Sequence, residues 1–345
     1  MTTYRRDAAN SFAGFTLVEI LIVIVIIGLL AGMTTTVIVG ARRSVNNSVI
    51  TAQMSQLSIA LDEYKNKFGE YPPDLSDKEA VKRHLKKRWP RSGYGVNDAS
   101  YATFMKHVEL GCALSSGDAC VWKLVNDDGD PVGAYISSLV FWLGGLPDGH
   151  GVPSGFYASP KYPLGIKPDD SPVNRPDRLK KEKPLYSFDR KYLSGYGCSY
   201  DSDLDRFYYF KNENWLRDGV YIPAYCQGDY PIVYFRPSLN KGYGAKSFYL
   251  AQGDGVMNDL SCAVPYGQGP NLWYEEKRFQ LIHPGDDGLF SFSQLDFMES
   301  HGNALPTNGD YEATRIVPAK SGTSLRDADN LTNFVESGTL ESLYD

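Results

Sequence analysis

This 345-residue chain has no GxSxG elbow, no HExxH pair and no phosphate-binding glycine loop followed by Lys and Ser or Thr. The common serine-hydrolase, metalloprotease and NTPase frameworks are therefore excluded. Histidine is scarce: His84, His107, His150, His283 and His301 are scattered, and no two have metal-ligand spacing. Without a base beside a nucleophile there is no catalytic constellation, and the chain reads as non-enzymatic. The five cysteines, Cys112, Cys120, Cys198, Cys226 and Cys262, form no CxxC pair, which speaks against a zinc ribbon or a thioredoxin-like site. In an oxidising compartment Cys112 could close a small loop with Cys120, and Cys198 a larger one with Cys226, leaving Cys262 over. Spacing alone does not fix that connectivity. Positive charge is also in short supply. With 35 Lys and Arg against 41 Asp and Glu the net charge is −6, so the chain as a whole offers no electrostatic grip on nucleic acid, and no nucleic-acid partner is expected.

Charge is most conspicuously missing from residues 15–39, FTLVEILIVIVIIGLLAGMTTTVIV, where Glu19 is the only charged side chain. A helix of this length rises ~37 Å, enough to cross a bilayer core of ~30 Å. An ionised group in such a helix costs at least ~2.5 kcal/mol on insertion scales, so Glu19 calls for a partner or for a place near the headgroups. Upstream stands MTTYRRDAANSFAG, a polar leader whose Arg5 and Arg6 fit the cytoplasmic side under the positive-inside rule. The small residue Gly14 precedes the apolar run where a secretory signal would place it after, so the run should survive in the mature chain.

Gly14-Phe15-Thr16-Leu17-Val18-Glu19-Ile20 followed by the apolar run resembles the leader and first helix of type IV pilins and type II secretion pseudopilins. The resemblance implies a prepilin peptidase that cuts after Gly14 and methylates Phe15, and a Glu19 that meets the free amine of a neighbouring subunit. A buried charge is tolerable when paired and costly when alone, which agrees with that role. Removing residues 1–14, with Arg5, Arg6 and Asp7, leaves a mature charge of −7. Many such helices carry a Pro where this chain has Thr36; if the helix loosens on assembly, Gly28, Gly32 and Thr34 to Thr36 must supply the weakness.

Beyond the run, Ile50, Met54, Leu57, Leu61, Tyr64 and Phe68 recur at helical steps, a stripe for packing on the chain's own head in preference to a coiled coil. Gly69 and Pro72-Pro73 stop the helix. The YKNKFGEYPP end resembles the point where the major pseudopilin of type II secretion leaves its long helix, whereas residues 74–189 have no counterpart there. In that stretch DKEAVKRHLKKRWPR (77–91) is a basic helix, read as a solvated face because no stacking aromatics interleave its charges. Further helices are expected over 101–112 and 133–143, and residues 163–184 read as an exposed proline-rich loop. With 24 Tyr, 16 Phe, 33 Gly and 20 Pro, the remainder suggests short strands and turns. RFYYFK (206–211), GVYIPAYC (219–226), PIVYFRP (231–237), KSFYL (246–250) and RFQLIHP (278–284) are strand-like.

The expected fold is α+β: a leader over 1–14, a transmembrane helix over 15–39 continuing periplasmically over 40–68, a variable insertion over 69–190, and an antiparallel sheet region over 191–345 packed on the helix. Gly285-Asp286-Asp287-Gly288 and Asp327-Ala328-Asp329-Asn330 resemble the two halves of the calcium loop in the major pseudopilin, with a longer spacer. The resemblance implies calcium held by Asp287, Asp327 and Asp329, hard oxygen ligands of the kind that ion takes; turns and helix caps would use the same residues.

Two function classes follow. One is a structural pseudopilin in a periplasmic filament, partnered by further copies, other pseudopilins, prepilin peptidase, an inner-membrane platform protein and a secretion ATPase, with membrane lipid around it before assembly. The other is a minor pilin or adhesin whose enlarged head binds DNA, glycan or a surface.

Overall fold

The computed structural model describes residues 15–75, 77–110, 138–148, 152–169, 171, 173, 180–194, 196–201, 206–211, 220–224, 230–238, 242–243, 248–251, 260–269, 272–285, 288–290, 330–335 and 339–340. A helix, α1, spans Leu17–Phe68. Two compact units, residues 1–45 and 46–345, divide the chain within it. In the first unit the side chains from Leu17 to Leu30 stand in the open, and nothing lies within 4 Å of where a Cβ would stand on Gly28 or Gly32. Among the described residues no helix is long and apolar enough to cross a membrane. The transmembrane span expected over 15–39 is thus not carried by the described residues.

In the second unit, Ile50, Met54, Leu57, Leu61 and Tyr64 are buried in the head's hydrophobic core and Phe68 packs at its edge. The stripe expected from the spacing is therefore filled by the chain's own head. Gly69, at φ +80°, ends the helix by donating its N–H to Lys65 O at 2.6 Å. The chain then enters an irregular segment, Tyr71 to Leu75, that is buried throughout. Buried loop backbone needs hydrogen-bond partners, and side chains from distant parts of the head supply them. Trp142 Nε1 donates to Pro73 O at 2.9 Å, Tyr234 Oη donates to Pro72 O at 2.7 Å, and Asp74 Oδ2 accepts from the Arg236 N–H at 2.8 Å.

Helix α2, Lys78–Arg88, starts where Asp77 accepts from the Glu79 and Ala80 N–H groups, and buries Val81, His84 and Leu85. Helix α3, Asp98–Leu110, is capped by Asn97, whose Oδ1 accepts from Ser100 N at 2.8 Å. The helix expected over 133–143 is described from residue 138, where it gives way to a buried π-helical turn, Val140–Gly144, ended by Gly145 at φ +80°.

The strands are β1 (Leu193–Ser194), β2 (Tyr196–Asp201), β3 (Arg206–Lys211), β4 (Val220–Tyr221), β5 (Val233–Phe235), β6 (Phe248–Ala251), β7 (Leu260–Ala263), β8 (Gly267–Gly269), β9 (Leu272–Trp273), β10 (Gln280–His283) and β11 (Leu331–Thr332). The sheet region expected over 191–345 is divided among small sheets of order β11-β10-β5, β2-β3-β6-β7, β1-β4 and β8-β9. All pairings are antiparallel except β3 with β6, joined in parallel through Tyr209 and Leu250. Proline explains the shortness of β5, which Pro231 and Pro237 bracket, a missing N–H breaking the ladder on either side. Cys112, Cys120 and Cys226 lie outside the described residues; Cys198 falls on β2 and Cys262 on β7.

Candidate functional site

The N-terminal motif forms a reciprocal helix cap. Thr16 O accepts the first helical bond from Ile20 N at 3.3 Å, which makes Thr16 the residue before the helix. Its Oγ1 accepts from Glu19 N at 3.3 Å, while Glu19 Oε2 accepts from Thr16 N and from Thr16 Oγ1, both at 2.8 Å. This is the capping box that a Ser or Thr followed three residues on by Glu encodes, a signal present in Thr16-Leu17-Val18-Glu19 but not used in reading the sequence. Glu19 Oε1 has no hydrogen bond among the described residues, and the neighbouring Phe15 and Leu17 are 79% and 81% exposed. Gly14 lies outside the described residues. Chemically, the arrangement presents an exposed phenylalanine four residues ahead of a carboxylate that spends one oxygen on capping its own helix.

The described residues that flank the two calcium-like segments are brought side by side by the sheet. β10 pairs antiparallel with β11, Ile282 opposite Thr332 and His283 opposite Leu331, so the turn after β10 and the chain entering β11 leave the same end. Asp287, Asp327 and Asp329 lie outside the described residues, and among the described residues no His, Cys, Asp or Glu cluster could hold a metal. The flanks are closely specified. Gly288, at φ +76°, lies against Tyr230, whose ring would be 2.1 Å from an added Cβ. Asn333 Oδ1 accepts from Leu281 N at 2.7 Å. Asn330 Nδ2 donates to Phe290 O at 2.7 Å and to Tyr266 Oη at 2.9 Å, but its buried Oδ1 has no partner among the described residues.

A third group of side chains was not brought together by the sequence reading, in which Tyr64 belonged to the packing stripe and Glu70, Arg88 and Arg236 looked like surface charges. Where α1 ends, Arg88 Nη1 donates to Tyr64 Oη at 2.5 Å, Tyr64 Oη lies 2.7 Å from His84 Nε2, and His84 Nδ1 lies 2.8 Å from Glu70 Oε1. Arg236 Nη2 closes the chain on Glu70 Oε2 at 3.2 Å. Burial pushes the His84 imidazole down to about 4, so it is neutral at pH 7; its Nδ1–H donates to Glu70 and its Nε2 accepts from Tyr64. Burial alone would raise Glu70, but the hydrogen bond to His84, with Arg236 and Lys87 nearby, holds it below the usual carboxylate range. The Arg88 guanidinium is sandwiched by Phe68, Trp89 and Phe156 at 4.3 to 4.5 Å from their ring centres. Hence α2 is not a purely solvated basic face: its inward side carries a histidine and an arginine that fasten the insertion to the end of α1.

Residues 9–35 match the family model of the prokaryotic N-terminal methylation motif. The match supports a type IV pilin-like N-terminus, implies processing by prepilin peptidase and pilin-like assembly, and suggests a membrane-anchored subunit. No curated protein and no solved structure shows a significant match to the chain.

Proposed function

We propose that this chain is a pseudopilin of a type II secretion-like system, a structural subunit and not an enzyme. Prepilin peptidase cuts it after Gly14 and methylates Phe15. Its apolar helix rests in the inner membrane, with the head in the periplasm, until the platform protein and ATPase draw it into a filament with further copies and other pseudopilins. The observation that carries this reading is the Thr16–Glu19 capping box under an exposed Phe15. The helix is already capped before assembly, and Glu19 keeps one oxygen open for the amine that cleavage creates on the next subunit. Such a pair is worth making where water is excluded, since each charge is costly there alone.

Co-expression with a prepilin peptidase tests it. Mass spectrometry of the full chain should show loss of residues 1–14 and one added methyl group on Phe15. Glu19→Ala should be processed normally yet fail to enter filaments; normal incorporation would refute the pairing.

A second reading, a minor pilin with a binding head, is favoured by the insertion, whose helices are built into the core and do not hang from it. Calcium at Asp287, Asp327 and Asp329 belongs to the pseudopilin reading. The orphaned Asn330 Oδ1 beside that segment fits an acceptor-rich site, where bound calcium would draw two chain segments together. Calcium should then raise the melting temperature of the full chain in detergent, and Asp329→Asn should abolish the shift.

A further inference from the structure

Between Glu19 and Asp62, helix α1 carries two charged side chains, Arg42 and Arg43, and no carboxylate. Both arginines are exposed, as is Val45 beside them, and nothing lies within 4 Å of where a Cβ would stand on Gly40. The helix is open to its surroundings here. Removal of residues 1–14 takes Arg5 and Arg6 away, which leaves Arg42 and Arg43 as the first cationic side chains of the mature chain.

The helix also sets their height. From Leu17 to Arg42 it rises ~38 Å. A bilayer measures ~30 Å across its hydrocarbon and ~40–45 Å with its headgroups. With Leu17 at one face of the membrane, Arg42 and Arg43 therefore stand in the headgroup layer of the other. Successive residues of a helix point ~100° apart, so the two guanidiniums reach out from one level of α1 towards different neighbours.

We propose that Arg42 and Arg43 form a binding site for anionic phospholipid headgroups of the periplasmic leaflet, which holds α1 at a fixed depth until assembly draws it out. The proposal rests on the membrane residence stated under the function above. A guanidinium offers paired N–H donors to a phosphate, and the Arg stem lies along the apolar helix while its head stays among the phosphates. A zwitterionic lipid brings an ammonium of its own into that layer, whereas an anionic one leaves its charge for the protein. Counter-ions from protein are out of reach: along the axis Glu19 and Asp62 lie ~35 and ~30 Å from Arg42. A parallel copy at the same depth has the same gap, so charge complementarity at this height selects lipid over a second subunit.

The test uses the cleaved full chain in lipid nanodiscs, one chain to a disc, with equal phosphatidylglycerol and phosphatidylcholine. Photoactivatable analogues of each lipid carry the reactive group in the headgroup, a further analogue carries it in the acyl chain, and mass spectrometry maps the labelled residues. Residues 40–47 should be labelled on the order of tenfold more by the anionic headgroup probe than by the zwitterionic one, each basic residue near an anionic surface being worth a factor of ~5. Molar salt should shrink that preference. Arg42→Gln with Arg43→Gln should abolish it, and Arg42→Lys with Arg43→Lys should keep it, which separates lost charge from a disturbed helix.

Equal labelling by the two headgroups, or a preference that survives the double Gln variant, would overturn the site. A preference seen only in discs loaded with two chains would also overturn it, by giving the arginines to a neighbouring subunit. The acyl-chain probe separates this proposal from the reading beneath it. Labelling of residues 20–32 without headgroup preference at 40–47 sinks the lipid site alone, whereas no labelling of 20–32 sinks the membrane residence and the site with it.

Discussion

Protonating His84 would place a third positive charge between Arg88 and Arg236 and turn its Nε2 into a donor facing the Tyr64 hydroxyl, which already takes a bond from Arg88. The Tyr64 proton would then have no acceptor in a buried setting, and such orphans are costly. Because the folded pKa of His84 is pushed down to about 4 from its ordinary 6.5, its contribution to stability is complete above about pH 6.5. That contribution is lost as pH falls from there towards 4. Buried His283, pushed down to about 3, acts in the same direction over a wider range. Glu70, held below its ordinary value, withdraws its share only at pH below that value. The melting temperature of the full chain should therefore fall steadily from pH 6.5 to 4. In His84→Gln, which keeps amide donors and acceptors but cannot titrate, that slope should shrink while stability at pH 7 drops by about 1–3 kcal/mol. A slope unchanged by the substitution would place the acid sensitivity elsewhere.

At the scale of elements, the parts that could be read from the sequence are those whose signals are local. Period 3.6 in Ile50 to Tyr64 located the buried face of α1, and RFYYFK named β3 residue for residue. The basic run of 77–91 located α2. What could not be read locally is the return of the chain after Gly69, which brings Glu70, His84 and Arg236 together from positions far apart in sequence. Charged side chains look solvated until their partners are known. Arg88 illustrates this: four residues from His84, it turns inward because Trp89, Trp142 and Phe156 form a cage that sequence spacing does not reveal. The division of the sheets was hidden for the same reason, since strand partners are long-range choices.

Glycines in the connections carry tests of this geometry. Gly155, at φ +94°, would set an added Cβ 1.8 Å from Glu182 O, a backbone atom tied by the bond from Glu182 N to Phe156 O at 2.7 Å. Gly69, at φ +80°, would meet only the mobile tip of Lys87 at 3.1 Å. Denaturant titration should show Gly155→Ala costing about 3 kcal/mol or more and Gly69→Ala nearer 1 kcal/mol. Equal costs would mean that backbone angle, not close approach, governs both sites.

Over the whole molecule, processing and packing assign different work to different stretches of chain. The N-terminal motif implies pilin-like assembly, and it was legible from seven residues. The calcium-like segment was read as two halves, and the pairing of β10 with β11 sets only their described flanks side by side.

The hydrogen bonds that Trp142 and His84 make bear on how this head can be altered. Both donate or accept across the junction after α1, where Pro72, Pro73 and Glu70 sit in the interior. Splicing residue 75 directly to residue 190 would strip the Pro73 carbonyl of its Trp142 donor and leave the Glu70 carboxylate with Arg236 but without His84. The trimmed chain should be recovered as aggregate, even though the core residues of α1 and the strands are all retained. The insertion works as a keystone: Trp142 and His84 hold the turn by which α1 hands the chain on to the rest of the head.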